Sequence, residues 1–231
     1  FSINKSWTYS WLLVTTDSTG KTLTSNTDTI SVRIASVSDS LGTFTHLIRY
    51  EAASLHDGSE TVWYQLAGDS LIEVAYSNYC SVLSLPKTGT ATRLQQKYQR
   101  LPVFSLIPNA LAKILNTCGI ADSILFRDEY RTVYKYPLSS GMAWTSCHNP
   151  FLETRNVVGT ETLQINNLFF SCAKIQTQLP TINPNIIWYD YVSSEGLIKR
   201  SIDYGKVTLT SVENPDSSGW GYSRENLTLM Y

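Results

Sequence analysis

Apolar and polar residues alternate with a period of two over most of this chain, as they do in half-buried strands. In the first half, Trp7 to Thr16 reads as a strand, ended by the turn residues Asp17-Ser18-Thr19-Gly20. Strand-like segments follow at about 28–38, 43–52 and 59–67. Ala67-Gly68-Asp69-Ser70 then predicts a tight turn, since glycine reaches positive φ without penalty, and Leu71 to Ser77 returns antiparallel. In the second half, Tyr136-Pro137-Leu138 leads through Gly141 into a strand around Trp144. Thr154 to Ile165 and Leu168 to Gln178 flank Asn166-Asn167, a two-residue turn because asparagine tolerates the left-handed conformation. Ile186 to Val192 and Gly196 to Asp203 flank Ser193-Ser194-Glu195. Tyr204-Gly205 is expected to turn the chain into Lys206 to Val212, and Glu225 to Tyr231 forms the last strand. Trp188, Asp190 and Val192 should face one way, and Ile187, Tyr189 and Tyr191 the other.

The order of these segments recurs. Ile30-Ser31-Val32, Phe44, Arg49, Trp63 and Leu71-Ile72 are answered by Leu163-Gln164-Ile165, Phe169, Lys174, Trp188 and Leu197-Ile198. From Phe44 to Phe169, Arg49 to Lys174 and Trp63 to Trp188 the offset is about 125 positions, and Leu71 to Leu197 needs one inserted residue. The pattern predicts a mainly β chain: two tandem antiparallel β-meander modules, sandwich or partly open barrel, over residues 1–120 and 121–231. Residues 84–130 have a different texture. There Pro108 precedes Leu111, Ile114, Leu115 and Cys118 on one helical face, with Gly119 beyond, so one short helix is expected near 108–118.

Composition supports packed cores. The 231 residues are 42% hydrophobic and 12% aromatic, which excludes a disordered chain. Charged residues make up only 16%, and Ser and Thr together fill 53 positions. A net charge of -1, with Lys and Arg scattered, gives no field to steer a polyanion, so no nucleic-acid partner is expected. Apolar runs such as Trp11-Leu12-Leu13-Val14 fall far short of the ~20 residues of a membrane-spanning helix. The chain begins at Phe1 rather than methionine, which leaves room for a leader removed or left out.

Cys80, Cys118, Cys147 and Cys172 are even in number and include no Cys-x-x-Cys pair. If each module is self-contained, Cys80–Cys118 and Cys147–Cys172 are the natural disulfides, with four free buried thiols as the alternative. Low charge and abundant Ser, Thr and Asn favour an exported, oxidising setting. Reactive chemistry finds little footing. His46, His56 and His148 are dispersed, and Cys147-His148 with Cys172 matches no zinc-ligand spacing, so no metal or cofactor is expected. Glu51, Glu60, Glu73, Glu153, Glu161, Asp190 and Glu195 stand singly and read mostly as solvent-face residues. Asp128 and Glu129 are adjacent and point to opposite faces in a strand, poor geometry for paired acid–base work. No Gly-x-Ser-x-Gly elbow is present, and the chain is expected not to be an enzyme.

Tyr136-Pro137-Leu138-Ser139-Ser140-Gly141-Met142-Ala143-Trp144 resembles the opening of small exported β-domains common in envelope lipoproteins of Bacteroidota-type bacteria. Phe170-Ser171-Cys172-Ala173-Lys174-Ile175 is similar to their cysteine-bearing strand. Trp188-Tyr189-Asp190-Tyr191-Val192 through Gly196-Leu197-Ile198-Lys199-Arg200 is similar to their Trp-Tyr hairpin. The resemblance covers most of 134–231 and, more faintly, 5–77. It implies a lipid-anchored or secreted envelope protein, at the cell surface, outer membrane or periplasm.

These observations lead to a non-enzymatic exported protein acting through protein contact, such as a subunit of an extracellular assembly or filament. Meander modules end in edge strands whose unpaired backbone invites strand addition by a neighbour. The candidate contact residues are Phe1 and Ile3 before the first strand, Leu227 and Leu229 in the last, and Trp220 in the loop Asp216 to Gly221. The other tryptophans, notably Trp63 and Trp188 at matched positions, read as core. The alternative is a carrier of an apolar ligand, a half-barrel like those of lipoprotein carriers, with the 108–118 helix as its lid.

Overall fold

The computed structural model describes residues 2–54, 58–78, 124–148, 152–181, 184–210 and 218–230. These residues build twelve strands: β1 (Ser6–Asp17), β2 (Thr22–Leu41), β3 (Phe44–Ser54), β4 (Gly58–Ala67), β5 (Ser70–Asn78), β6 (Ile124–Lys135), β7 (Ala143–Cys147), β8 (Glu153–Ile165), β9 (Leu168–Gln178), β10 (Ile187–Ser193), β11 (Gly196–Thr210) and β12 (Ser218–Met230). All twelve join in one sheet of order β6-β5-β4-β3-β2-β1-β12-β11-β10-β9-β8-β7. Each half is thus a six-stranded antiparallel meander. The halves meet where β1 pairs β12, from Thr8 opposite Met230 to Asp17 opposite Gly221.

The sheet curls until its two margins, β6 and β7, lie side by side, so the whole is a nearly closed barrel. Counting strands in each half, β7 and β6 correspond to β1 and β12, yet no backbone ladder joins them. Side chains bridge the seam instead. Trp144 Nε1 and Ser146 Oγ of β7 donate to the Thr132 carbonyl of β6, at 3.1 and 2.8 Å, and Arg155 of β8 donates to the Val133 carbonyl at 2.7 Å. At the far end of the seam, the His148 backbone N–H donates to Glu129 at 2.8 Å.

Alternation decides what fills the interior. Tyr9, Trp11 and Leu13 of β1, Ile30, Val32 and Ile34 of β2, and Leu227 and Leu229 of β12 are buried in one core that runs through both halves. Burying each such side chain contributes roughly 1.5–3 kcal/mol. Trp188, Asp190 and Val192 are buried and Ile187 is exposed as their spacing predicts, but Tyr191, expected on the face of Ile187, is buried as well. Outward positions on β12 include Tyr222, Arg224, Asn226 and Thr228, and β2 presents Ser31 and Arg33. A second, small core of Leu47, Trp63, Ile72, Val74 and Ala75 lies on the other side of β3–β5.

Several expectations change. The described residues contain no helix, and the one expected near 108–118 lies outside them. Tyr204-Gly205 is no turn: β11 runs on to Thr210 through a bulge at Asp203/Gly205, where Gly205 takes φ +66°. Part of the stretch of different texture is strand β6. Trp63 and Trp188 are both buried but on opposite sides of the sheet. Trp63 pairs Arg49, whereas Lys174, the counterpart of Arg49, pairs Tyr191. That slip of an odd number of residues flips the face.

Cys147 and Cys172 are buried free thiols. They sit on β7 and β9 with β8 between, opposite Glu153 and Glu161, which stand eight residues or roughly 26 Å apart along β8. A disulfide needs Cα atoms within about 7 Å, so the expected pairing fails. Burial pushes the Cys172 thiol up to about 11. Cys80 and Cys118 lie outside the described residues.

Candidate functional site

The two ends of the barrel differ. One end carries the short turns after β2, β4, β8 and β10, together with the link from β6 to β7. A cavity of about 320 Å³ opens there. Asn78 and Ile124, between which the segment 79–123 runs, belong to the opposite end.

Aromatic rings form the cavity walls. Trp7 stacks on Tyr50 with centroids 6.1 Å apart and planes 17° from parallel, and Tyr50 meets Tyr64 edge-on at 5.3 Å. Tyr134 and Tyr136 meet edge-on at 6.5 Å at the β6 margin, and Ile34, Leu71, Val192 and Leu197 add to the apolar lining. Two wall groups are fixed by the backbone: Trp7 Nε1 donates to the Glu195 carbonyl and Tyr9 Oη to the Leu197 carbonyl, both at 2.9 Å. Gly196 makes the turn beneath Trp7 with φ +112°, a conformation that side chains resist.

Two β-bulges shape the site. Leu71 pairs Tyr134 and Ile72 pairs Thr132, so Val133 is an extra residue on β6. Both Val133 and Tyr134 therefore reach the cavity. The same device lies opposite: Val192 pairs Leu197 and Tyr191 pairs Lys199, leaving Ile198 extra. Bulges re-aim side chains in this way, and strict alternation cannot reveal them.

Beneath the cavity runs a chain of buried charges. Glu73 of β5, Arg131 of β6, Glu153 and Arg155 of β8, Asp190 of β10 and Arg200 of β11 follow one another with alternating sign, each at most 3% exposed. Arg131 lies 3.7 Å from Glu73 and donates to Glu153. Arg155 donates to Glu153 at 3.0 Å and stands 3.9 Å from Asp190. Arg200 grips Asp190 with two bonds of 2.6 and 3.0 Å, and Trp188 Nε1 adds a third at 3.0 Å. Burial by itself would raise the Glu153 and Asp190 carboxyls, but Arg131 with Arg155, and Arg200 with Arg155, hold them below the ordinary carboxylate range. Carboxylates kept ionised in this way are ion-pair partners, unsuited to general-acid work. The expectation that Glu73, Glu153 and Asp190 face solvent is overturned.

The sequence-predicted residues are dispersed. Leu227 and Leu229 are 3% exposed, on a strand hydrogen-bonded on both sides, so the last strand is no edge. Ile3 is 55% exposed. Trp220 lies within β12 opposite Thr208 rather than in a loop, and Phe1 lies outside the described residues. His46 is exposed, with φ +57°, and His148 lies 2.8 Å from Glu129 at the seam. Among the described residues no three His, Cys, Asp or Glu side chains cluster as metal ligands. The cavity itself is built from Trp7, Tyr9, Tyr50, Tyr64, Tyr134 and Tyr136, whose signal was their number rather than their positions.

Compared with known proteins, the chain matches no family model, no curated protein and no solved structure.

Proposed function

We propose that this chain is a non-enzymatic binding protein of the cell envelope or surface that holds a small apolar ligand in its end cavity. The observation that carries the reading is the aromatic-walled cavity at the end of the barrel. Ligand sites are concave, mostly apolar and furnished with a few placed polar groups, and this one is at the small end of their ~300–1,000 Å³ range. An exported setting draws its support from the low charge and the Ser/Thr-rich composition. The test is binding of the neutral fluorophore N-phenyl-1-naphthylamine to the intact protein. Its emission should rise with wild type, and Val192→Trp, which fills the cavity, should abolish the rise. Equal binding by both proteins, or none by wild type, would sink the reading.

Action through protein contact keeps one specific support. β9 pairs β10 only from Ala173 onward, so the tip of the β8–β9 hairpin extends beyond its neighbour, with Leu168 46% and Phe169 69% exposed. Sedimentation over a concentration series checks it: wild type should self-associate and Phe169→Ser should not. A monomer at every concentration would count against this second reading.

A further inference from the structure

The cavity's polar groups narrow its ligand. Both charged pairs that border it are internally matched: Lys5 with Glu195 at the rim, 2.9 Å apart, and Arg200 with Asp190 at the base. A charged ligand would meet no uncompensated counter-charge there, and its own desolvation would go unrepaid. Tyr9 and Trp7 have already given their protons to backbone carbonyls. Tyr134 and Tyr136 have not: among the described residues neither hydroxyl has a hydrogen-bond partner. The Tyr134 hydroxyl is close enough to Asp190, Arg200 and Arg155 to feel their charge. We propose that the ligand is an uncharged compound of one or two fused rings bearing a carbonyl-type acceptor, which receives hydrogen bonds from Tyr134 and Tyr136.

Ring shape follows from the walls. Trp7, Tyr50 and Tyr64 offer faces and edges to a flat apolar body, a contact that flexible chains exploit less well. The volume suits a fused pair of rings and is short for a long acyl chain. Burial, and for Tyr134 also the nearby Asp190, raise both phenols above their ordinary range, so they remain protonated donors at physiological pH.

This inference rests on the apolar-ligand reading, and the experiment separates the two. Calorimetric titrations of the intact protein use 1,4-naphthoquinone, naphthalene, 1-naphthoate and decanol. Naphthoquinone should bind most tightly. Tyr134→Phe and Tyr136→Phe should each weaken it about three- to tenfold, the worth of one neutral hydrogen bond. The naphthalene affinity should not change, and the double variant should erase the preference for the quinone. Tyr136 is partly exposed at the rim, so its variant remains informative even if Tyr134→Phe fails to fold. Equal binding of naphthoquinone and naphthalene, tighter binding of naphthoate, or binding of decanol alone would overturn the ligand class and leave an apolar carrier standing. Binding of none of the four would remove both.

Discussion

Asp190 and Arg200 show what a buried charge costs and how it is offset. Each ion loses several kcal/mol of hydration inside the sheet, and the pair recovers this only through close geometry. Arg200→Leu strands Asp190 with Trp188 and a distant Arg155. It should lower stability by about 3–5 kcal/mol, whereas the double variant Asp190→Leu/Arg200→Leu should cost less than that single change. Urea denaturation of the three variants measures this, and additive losses would argue against coupling. The chain of charges was legible in principle. Glu73 stands two residues from Leu71, Arg131 from Val133, Arg155 from Val157, and Arg200 from both Ile198 and Ile202. A charge in step with apolar neighbours reads as inward where the strand is regular. Reading Glu73, Glu153 and Asp190 as solvent-facing weighed residue type above phase.

At the scale of elements, alternation and turn residues located strands well where the backbone is regular. Leu168 to Gln178 is strand β9 end to end, and Asn166 takes φ +54° in the expected turn. Reading failed where a strand bends without ending. Gly205 marks a bulge inside β11, and glycine serves bulges and turns for the same conformational reason. β6 was hidden because Arg131 interrupts its apolar face, and that arginine's partners come from β5 and β8. The tyrosine site was illegible for a related reason. Tyr134 enters the cavity through an extra residue on β6, and no local feature of the sequence records where a register slips.

For the whole molecule, the repeated order of segments foretold two meanders, and their union into a single sheet depends on the β1–β12 pairing between the two ends of the described chain. Electrostatics then set the pH range of the assembled barrel. Glu153 and Asp190 titrate below their ordinary range when folded, so they contribute stability above about pH 4 that is lost as pH falls through their folded values. Tyr50 and Tyr134 titrate above theirs, chiefly through burial, so stability should decline as pH rises past about 10. The melting temperature should therefore form a plateau between roughly pH 5 and 9 and fall on both flanks. A profile that climbs steadily into acid would contradict the buried ion pairs.

The short hairpin turns at the cavity end have a kinetic corollary. Four of the links around the mouth are two residues long, at 42–43, 68–69, 166–167 and 194–195, which leaves little slack for a hinge. A guest therefore meets a vessel already shaped before it arrives. Uptake should follow simple bimolecular kinetics, and departure should need no signal beyond dilution.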